Sequence, residues 1–255
     1  MKILGIIPLL LAYLLTSCIF AILPSGARLR RIFLTKNSSF FSRLMLALLG
    51  VHIHTNHRER LPKSSSGSLI VANHVSYIDV LVIASLTPAV FITSVELGNT
   101  LFLGVLARLG GSIFVERRKP FGLKREIGMI ARVVAEGSSV VLFPEGTTSN
   151  GERIQPFKNS LFDAAVTAGA DILPVCLRYT KINGEALTAH NRESVFYYGG
   201  ETFFKHFPKF LLLKSVDVVV FPLNGIKVRD HASRKELAIK AHAVISAAYD
   251  HAVNV

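Results

Sequence analysis

The chain has 255 residues, half of them hydrophobic, with 29 Lys and Arg against 17 Asp and Glu, a formal charge of +12 and a pI near 10.0. That length supplies one large domain, or one domain with an appendage, with an ample core, and no repeat at roughly 20 to 50 residues points to a solenoid. The charge calls for an anionic partner, and a mean hydropathy of +0.43 makes that partner a membrane rather than nucleic acid.

Residues 3–23 are almost all apolar, and as a helix they reach about 32 Å, the thickness of a bilayer's hydrocarbon core. Lys2 ahead of an apolar run ending at Leu15-Thr16-Ser17-Cys18 also has the look of a lipoprotein signal. The apolar run continues through Ile19, Phe20 and Leu23, however, so the segment reads as a retained anchor. Pro8 admits a third reading, a kinked helix lying in the interface. Arg28, Arg30, Arg31 and Lys36 follow, then Arg58, Arg60 and Lys63, each a contributor of about 1 kcal/mol toward an anionic leaflet. A spanning first helix would put the rest of the chain in the cytoplasm, because the basic excess lies after it. Cys18 and Cys176 are the only cysteines and build no disulfide framework, which fits a reducing compartment.

Phe40, Leu44, Ala47 and Leu48 follow helical spacing, with Ser42 and Arg43 off the stripe. They suggest either a two-helix membrane-docking element or ordinary packing against the domain. The organisation expected is therefore an anchor with its basic flank at 1–36, an amphipathic helix and linker at 37–66, and a catalytic domain at 67–255. His52 and His54 fall on one face of a short strand, near His57, and raise a metal-dependent hydrolase as an alternative. No carboxylate or cysteine lies close in sequence, and Arg58 and Arg60 would repel a cation, so no metal site is expected.

Beyond residue 67, apolar runs at 68–72, 89–93, 112–116, 139–143, 172–179 and 216–222 read as strands. Helical stripes at Leu123, Ile127, Ile130 and Val134 and at Leu237, Ala241, Val244 and Ala248 lie among them. The fold class is α/β, with a mixed, largely parallel sheet flanked by helices. In such sheets ligands bind beyond the carboxyl ends of strands. Two polar stretches fall there: Asn73-His74-Val75-Ser76-Tyr77-Ile78-Asp79, and Phe143-Pro144-Glu145-Gly146-Thr147-Thr148-Ser149.

Asp79 belongs in the first turn of a helix, from which its carboxylate can reach back to the His74 imidazole, fix its tautomer and raise its basicity. No Gly-x-Ser-x-Gly elbow, activated cysteine, Walker loop or dinucleotide fingerprint accompanies the pair. Without a nucleophile of its own, the simplest chemistry is deprotonation of a substrate hydroxyl that then attacks an activated acyl group. The 143–149 stretch bends at Gly146 and offers N–H groups, hydroxyls and one carboxylate around a small concavity. Arg117, with Arg118 and Lys119 behind it, follows a third strand and is suited to gripping a phosphate.

Together these residues resemble the glycerolipid acyltransferase family typified by 1-acyl-glycerol-3-phosphate acyltransferase. The resemblance rests on His-x4-Asp at His74 and Asp79, Gly-x-x-Phe-x-x-Arg at Gly111, Phe114 and Arg117, Phe-Pro-Glu-Gly-Thr-x-Ser at 143–149, and Leu173-Pro174-Val175, in order over roughly residues 68 to 180. Phe157-Lys158 is also similar to the family's Phe-Lys, although Asn159-Ser160 stands where a glycine is often seen. The resemblance implies His74 as base and Asp79 as its orienting partner. It also implies Arg117 on the acceptor phosphate, Glu145, Gly146 and Thr147 shaping the acceptor site, and Lys158 assisting. Asn73, Ser76, Pro144 and Ser149 would support them. It further implies a coenzyme A or acyl carrier protein thioester as co-substrate, no other cofactor, and a place on the cytoplasmic face of a bacterial inner membrane. The acceptor would be lysophosphatidic acid or another lyso-lipid such as a lyso-ornithine lipid. A non-catalytic lipid carrier is the remaining alternative.

Overall fold

The computed structural model describes residues 2–62, 67–116, 122–230 and 233–251. Two helices open it, α1 (Lys2–Ile22) and α2 (Ala27–Leu49), followed by β1 (Val51–Thr55), β2 (Leu69–Ala72), α3 (Ile78–Leu86), β3 (Val90–Ser94), α4 (Val95–Gly98) and α5 (Leu103–Leu109). Next come β4 (Ile113–Val115), α6 (Leu123–Ala135), β5 (Val140–Leu142), α7 (Asp163–Ala168) and β6 (Ile172–Ile182). The chain continues through β7 (Glu185–Ala186), α8 (Phe203–Leu211), β8 (Val216–Pro222) and α9 (Arg234–His251).

The strands form one sheet in the order β1-β8-β6-β2-β5-β3-β4, with the short β7 paired to β6. Every neighbouring pair along that order is parallel except β6 and β8, so the sheet is mixed and largely parallel as the apolar runs predict. β2 and β5 are buried at every position, which is what an unalternating apolar run needs: a central place with both faces covered. Ile70 and Ala72 point to the face covered by α2, α3 and α8, whereas Leu69 and Val71 point to the face covered by α6, α7 and α9. The expected helical stripes do this covering, with Ile127, Ile130, Val134, Leu237 and Ala241 all buried.

The amino-terminal region departs from the expected division. Residues on both sides of position 36 belong to the single helix α2, and β1 joins the sheet although it precedes residue 67. The sequence reading missed this because α2 hides a polar face. Thr35, Asn37, Ser39 and Ser42 are buried, while Phe40 and Leu44 are exposed. Small and hydroxylated side chains let α1 approach closely, and Asn37 Nδ2 donates to Ser17 Oγ at 2.8 Å and Thr16 Oγ1 at 3.0 Å. α2 ends at Gly50, whose φ of 76° is left-handed and whose N–H bonds Ala47 O; a Cβ there would meet Lys214 O at 2.4 Å.

Among the described residues, α1 is the one helix long and apolar enough to cross a membrane by length and composition. It is also fastened to the body of the protein. Lys2 Nζ donates to Leu49 O at 2.6 Å and Leu213 O at 2.5 Å, and Tyr13 Oη donates to Leu106 O at 3.1 Å. The outer side of α1 is apolar and exposed at Leu4, Ile7, Leu11, Leu15 and Ile22. Of the basic flank, Arg31 pairs with Glu136 at 2.7 Å and Arg28 Nε donates to Glu136 O at 2.9 Å, so both hold the end of α6 rather than face outward unpartnered.

Candidate active site

His74 lies two residues beyond β2, at the sheet edge where the parallel strands β2, β5, β3 and β4 all end. Asn73 holds the chain in place there: its Nδ2 donates to Leu177 O at 2.9 Å and its Oδ1 accepts from Leu177 N at 2.8 Å, extending the β2–β6 pairing through a side chain. The chain then turns into α3, and Asp79 falls in its first turn as expected. The carboxylate reaches back so that Oδ2 accepts from His74 Nδ1 at 2.9 Å, from Val75 N at 2.8 Å and from Ser76 N at 2.9 Å. Its other oxygen, Oδ1, accepts from Tyr179 Oη at 2.7 Å.

Asp79 is wholly buried, and four donors compensate the loss of water around its charge. A carboxylate so held makes Nδ1 the protonated nitrogen of a neutral His74 and leaves Nε2 as the basic one. The imidazole is stacked on Phe143, with ring centroids 4.0 Å apart and planes 14° from parallel, which fixes the plane in which Nε2 points. The His74 side chain is 18% exposed, enough for one edge of the ring to meet a substrate.

The 143–149 stretch comes off β5, the neighbour of β2, and its central carboxylate does something the sequence did not disclose. Glu145 is buried, and its Oε1 accepts from His74 N at 2.6 Å while Oε2 accepts from Gln155 N at 2.9 Å. It therefore clamps the backbone of His74 to the loop after Gly151. Burial pushes its carboxyl up to about 7; the two N–H donors oppose the rise, and the nearby Asp79 adds to it. Ser149 N donates to His74 O at 3.1 Å, so both backbone polar groups of His74 are bound by the second motif. Gly146 has a φ of 77°, and a Cβ on it would come 2.7 Å from Lys158 Nζ. The absence of a side chain thus lets the lysine lie across the turn, where Pro144 O accepts from Lys158 N at 2.9 Å. Thr147 is exposed beside it.

Ser76 donates its Oγ to Val195 O at 2.7 Å, and Tyr197 N donates to Val75 O at 2.8 Å, so residues 195–197 brace the His74 loop from the other side. Arg117 lies outside the described residues; the strand that leads to it, β4, ends on the His74 edge. His52 and His54 do share a face of β1, but the sequence reading that no carboxylate is near them is corrected by the sheet. The parallel β1–β8 register brings Asp217 opposite His52, and its Oδ1 lies 2.9 Å from His54 Nε2 and 3.6 Å from His52 Nδ1. The two histidines are exposed, and β1, which carries them, lies three places from β2 in the sheet. Among the described residues, no group of three or more His, Cys, Asp or Glu side chains could hold a metal ion.

Residues 51–178 match the family model described as acyltransferase. The chain belongs to the acyltransferase family. It is 34% identical over 205 residues to the lyso-ornithine lipid O-acyltransferase of Rhizobium meliloti (strain 1021), covering 77% of this chain and 68% of that protein. It is 37% identical over 128 residues to the 1-acyl-sn-glycerol-3-phosphate acyltransferase of Neisseria gonorrhoeae, covering 49% of each chain. The solved 1-acyl-sn-glycerophosphate acyltransferase PlsC from Thermotoga maritima shares the fold, with a TM-score of 0.66 over 92% of this chain and 87% of that one at 18% identity.

One contributor to this candidate site was missed in the sequence reading. Tyr179 reads there as one more apolar strand residue. The available signal was alternation: Val175, Leu177 and Tyr179 share one face of β6, the face that carries α3 and hence Asp79.

Proposed function

We propose that the chain transfers a fatty acyl group from an acyl thioester to the free hydroxyl of a lyso-lipid, with His74 as general base. The observation that carries this reading is the His74 Nδ1–Asp79 Oδ2 bond of 2.9 Å to a fully committed, buried carboxylate. His74 Nε2 takes the proton of the acceptor hydroxyl as its oxygen attacks the thioester carbonyl carbon. The resulting imidazolium is stabilised by Asp79, and when the carbon–sulfur bond breaks the proton passes from Nε2 to the leaving thiolate. A thiolate leaves readily, so one base is sufficient and no enzyme nucleophile is needed. The N–H groups of Val75 and Ser76 are committed to Asp79 and that of Gly146 to Phe143 O at 3.1 Å, so they fix the loop rather than serve the oxyanion.

Lys158, laid across Gly146 with Thr147 beside it, supplies a cationic group for the acceptor's anion, as does Arg117. Glu145 shapes this acceptor site by holding the backbone and not by touching substrate. The first reading of the acceptor is 1-acyl-glycerol-3-phosphate, giving phosphatidic acid. A lyso-ornithine lipid is the second, supported by the greater share of the chain matched by relatives of that name. The donor is an acyl-coenzyme A or an acyl carrier protein thioester. The outer apolar face of α1 and the exposed Phe33, Phe40 and Leu44 of α2 lie in the membrane interface, with the catalytic portion on the cytoplasmic side of a bacterial inner membrane. The fastening of α1 to Leu213 and Leu106 supports an interfacial rather than a spanning helix.

The test is acyl transfer by purified protein from both donors to a panel of lyso-lipids, with His74→Ala as control. Transfer to one acceptor and its loss in the variant support the reading. Unchanged transfer in the variant removes His74 as base, and inert lysophosphatidic acid beside an acylated amino-acid lyso-lipid selects the second acceptor.

A further inference from the structure

α8 is an amphipathic helix turned the wrong way for a water-facing element. Its inner side is an aromatic cluster: Phe210 and His206 are buried, and Phe203, Phe207 and Phe210 all surround the ring of Tyr77 at centroid distances of 5.1, 6.4 and 6.4 Å. Its outer side presents Phe204 at 73% exposure and Leu212, just past its end, at 84%, with Pro208 between them on the same stripe. Two large apolar side chains eight residues apart on the outward stripe of a short helix are an apolar surface and not scattered exposure. Lys205 and Lys209 border the stripe, the latter paired with Glu201 at 2.6 Å.

This stripe does not stand alone. The segment entering α5 carries Leu101 at 92% exposure together with Phe102 and Val105, and Phe102 packs against Phe203 and Phe204 with centroids 6.1 and 6.4 Å away. α5 in turn receives the Tyr13 hydroxyl of α1 at Leu106, and Lys2 at the start of α1 bonds Leu213 at the end of α8. The outer faces of α1, α5 and α8 are therefore contiguous. α8 is also tied to the catalytic loop. His206 Nδ1 accepts from Tyr77 Oη at 3.0 Å, three residues beyond His74, while its Nε2 donates to Phe196 O at 3.0 Å and Glu193 O at 3.1 Å. Those carbonyls flank Val195, which already bonds Ser76.

We propose that α8 and the entry to α5 extend the membrane-contacting surface of the α1–α2 pair, insert Phe204, Leu212, Leu101 and Phe102 into an anionic bilayer and, through the His206–Tyr77 bond, position the His74 loop at the lipid surface. The occupant is a bilayer because the patch continues the apolar face of α1 and is edged by lysines in a chain with a formal charge of +12. His206 is a positioning residue here, with no contact to the reacting atoms.

This inference rests on the lyso-lipid reading for its kinetic consequence and not for its binding consequence, so the two fail separately. Vesicles of phosphatidylglycerol and phosphatidylethanolamine are titrated with the full chain and with a Phe204→Ser/Leu212→Ser variant that keeps α1 and α2 intact. The variant should partition about tenfold or more less strongly, given the apolar area withdrawn from the bilayer. Its acyl transfer should fall on acceptor embedded in vesicles and stay near the parent's on a short-chain acceptor dispersed as monomers. Tyr77→Phe and His206→Phe should bind vesicles as the parent does yet show a lowered kcat in both formats with KM little changed, a pattern that mere loss of folded protein, checked by circular dichroism, does not give. Equal vesicle binding by the Phe204→Ser/Leu212→Ser variant overturns the proposal. So does a concentration-dependent dimer that the same variant abolishes while vesicle binding persists, which would make the patch a face for a second copy of the chain. Absence of transfer to any lyso-lipid, with vesicle binding still weakened in the variant, would sink the lyso-lipid reading and leave the membrane surface standing.

Discussion

Among the described residues, two histidine–carboxylate arrangements share the same 2.9 Å separation, His74 with Asp79 and His54 with Asp217. The first carboxylate is wholly buried and receives four donors, two from backbone N–H groups of the loop that carries the histidine. The second is shared between two histidine side chains that are 60% and 62% exposed. Distance alone does not separate them. What differs is the water that competes for each bond and the number of partners that fix the carboxylate. A solvated pair gains little from its Coulomb attraction and swings freely, whereas a buried and fully bonded one presents its imidazole in one tautomer and one orientation.

His74→Ala should lower acyl transfer by roughly 10³-fold or more with the fold retained, the scale expected of a lost general base, measured as kcat on the preferred acceptor. Asp79→Asn should cost roughly as much, because an amide cannot accept from Nδ1–H, Val75 N and Ser76 N as a carboxylate does; activity within tenfold of the parent would show that the pair is structural. Tyr179→Phe removes one of the four donors and is expected to lower kcat about tenfold and stability by about 1–2 kcal/mol in denaturant unfolding, while leaving KM for the acceptor near that of the parent.

A smaller effect follows from Glu145. Its carboxyl is raised from the usual 4.5 to about 7 in the folded chain, so between those values the native state binds a proton that the unfolded chain has released. The associated stabilisation is full below pH 4.5 and is lost as pH rises toward 7, up to a few kcal/mol in all. Glu145→Gln should flatten that slope in unfolding titrations across the window. At the bottom of the scale, His54→Ala and His52→Ala should leave acyl transfer within about twofold and stability within about 1 kcal/mol, as exposed pairs do. A large loss in either would erase the contrast between the two arrangements.

Much of the fold was legible because its strands are unalternating apolar runs, which only a central parallel sheet satisfies, and because α6 and α9 carry clean stripes. The helices that escaped notice include α5 and α8. Both are short, α8 contains Pro208, and its aromatic residues occupy both faces, so periodicity gives no direction. α2 was legible as a helix, with its orientation left open between two readings: Phe40 and Leu44 face outward, and Asn37, Ser39 and Ser42 are buried along with Leu34, Leu46 and Leu49. Within the candidate site, the five-residue step from His74 to Asp79 sufficed to foresee the imidazole–carboxylate bond. Tyr179 lies 100 residues from Asp79, so no local spacing pairs the two.

The sequence by itself determined the groups on offer: a histidine with its carboxylate partner on one short loop, a Gly-centred turn after the neighbouring strand, and an apolar amino-terminal helix. These are local properties, set by residue type and by spacings of a few positions. The tertiary structure alone decided how each group is used. It made Glu145 a clamp on the backbone of His74, gave Asp79 its fourth donor, set a half-buried Asp217 between two exposed histidines, and joined the outer faces of α1, α5 and α8. Each of these depends on strand register and on burial, which arise when distant segments exclude water together, and no local pattern encodes that event.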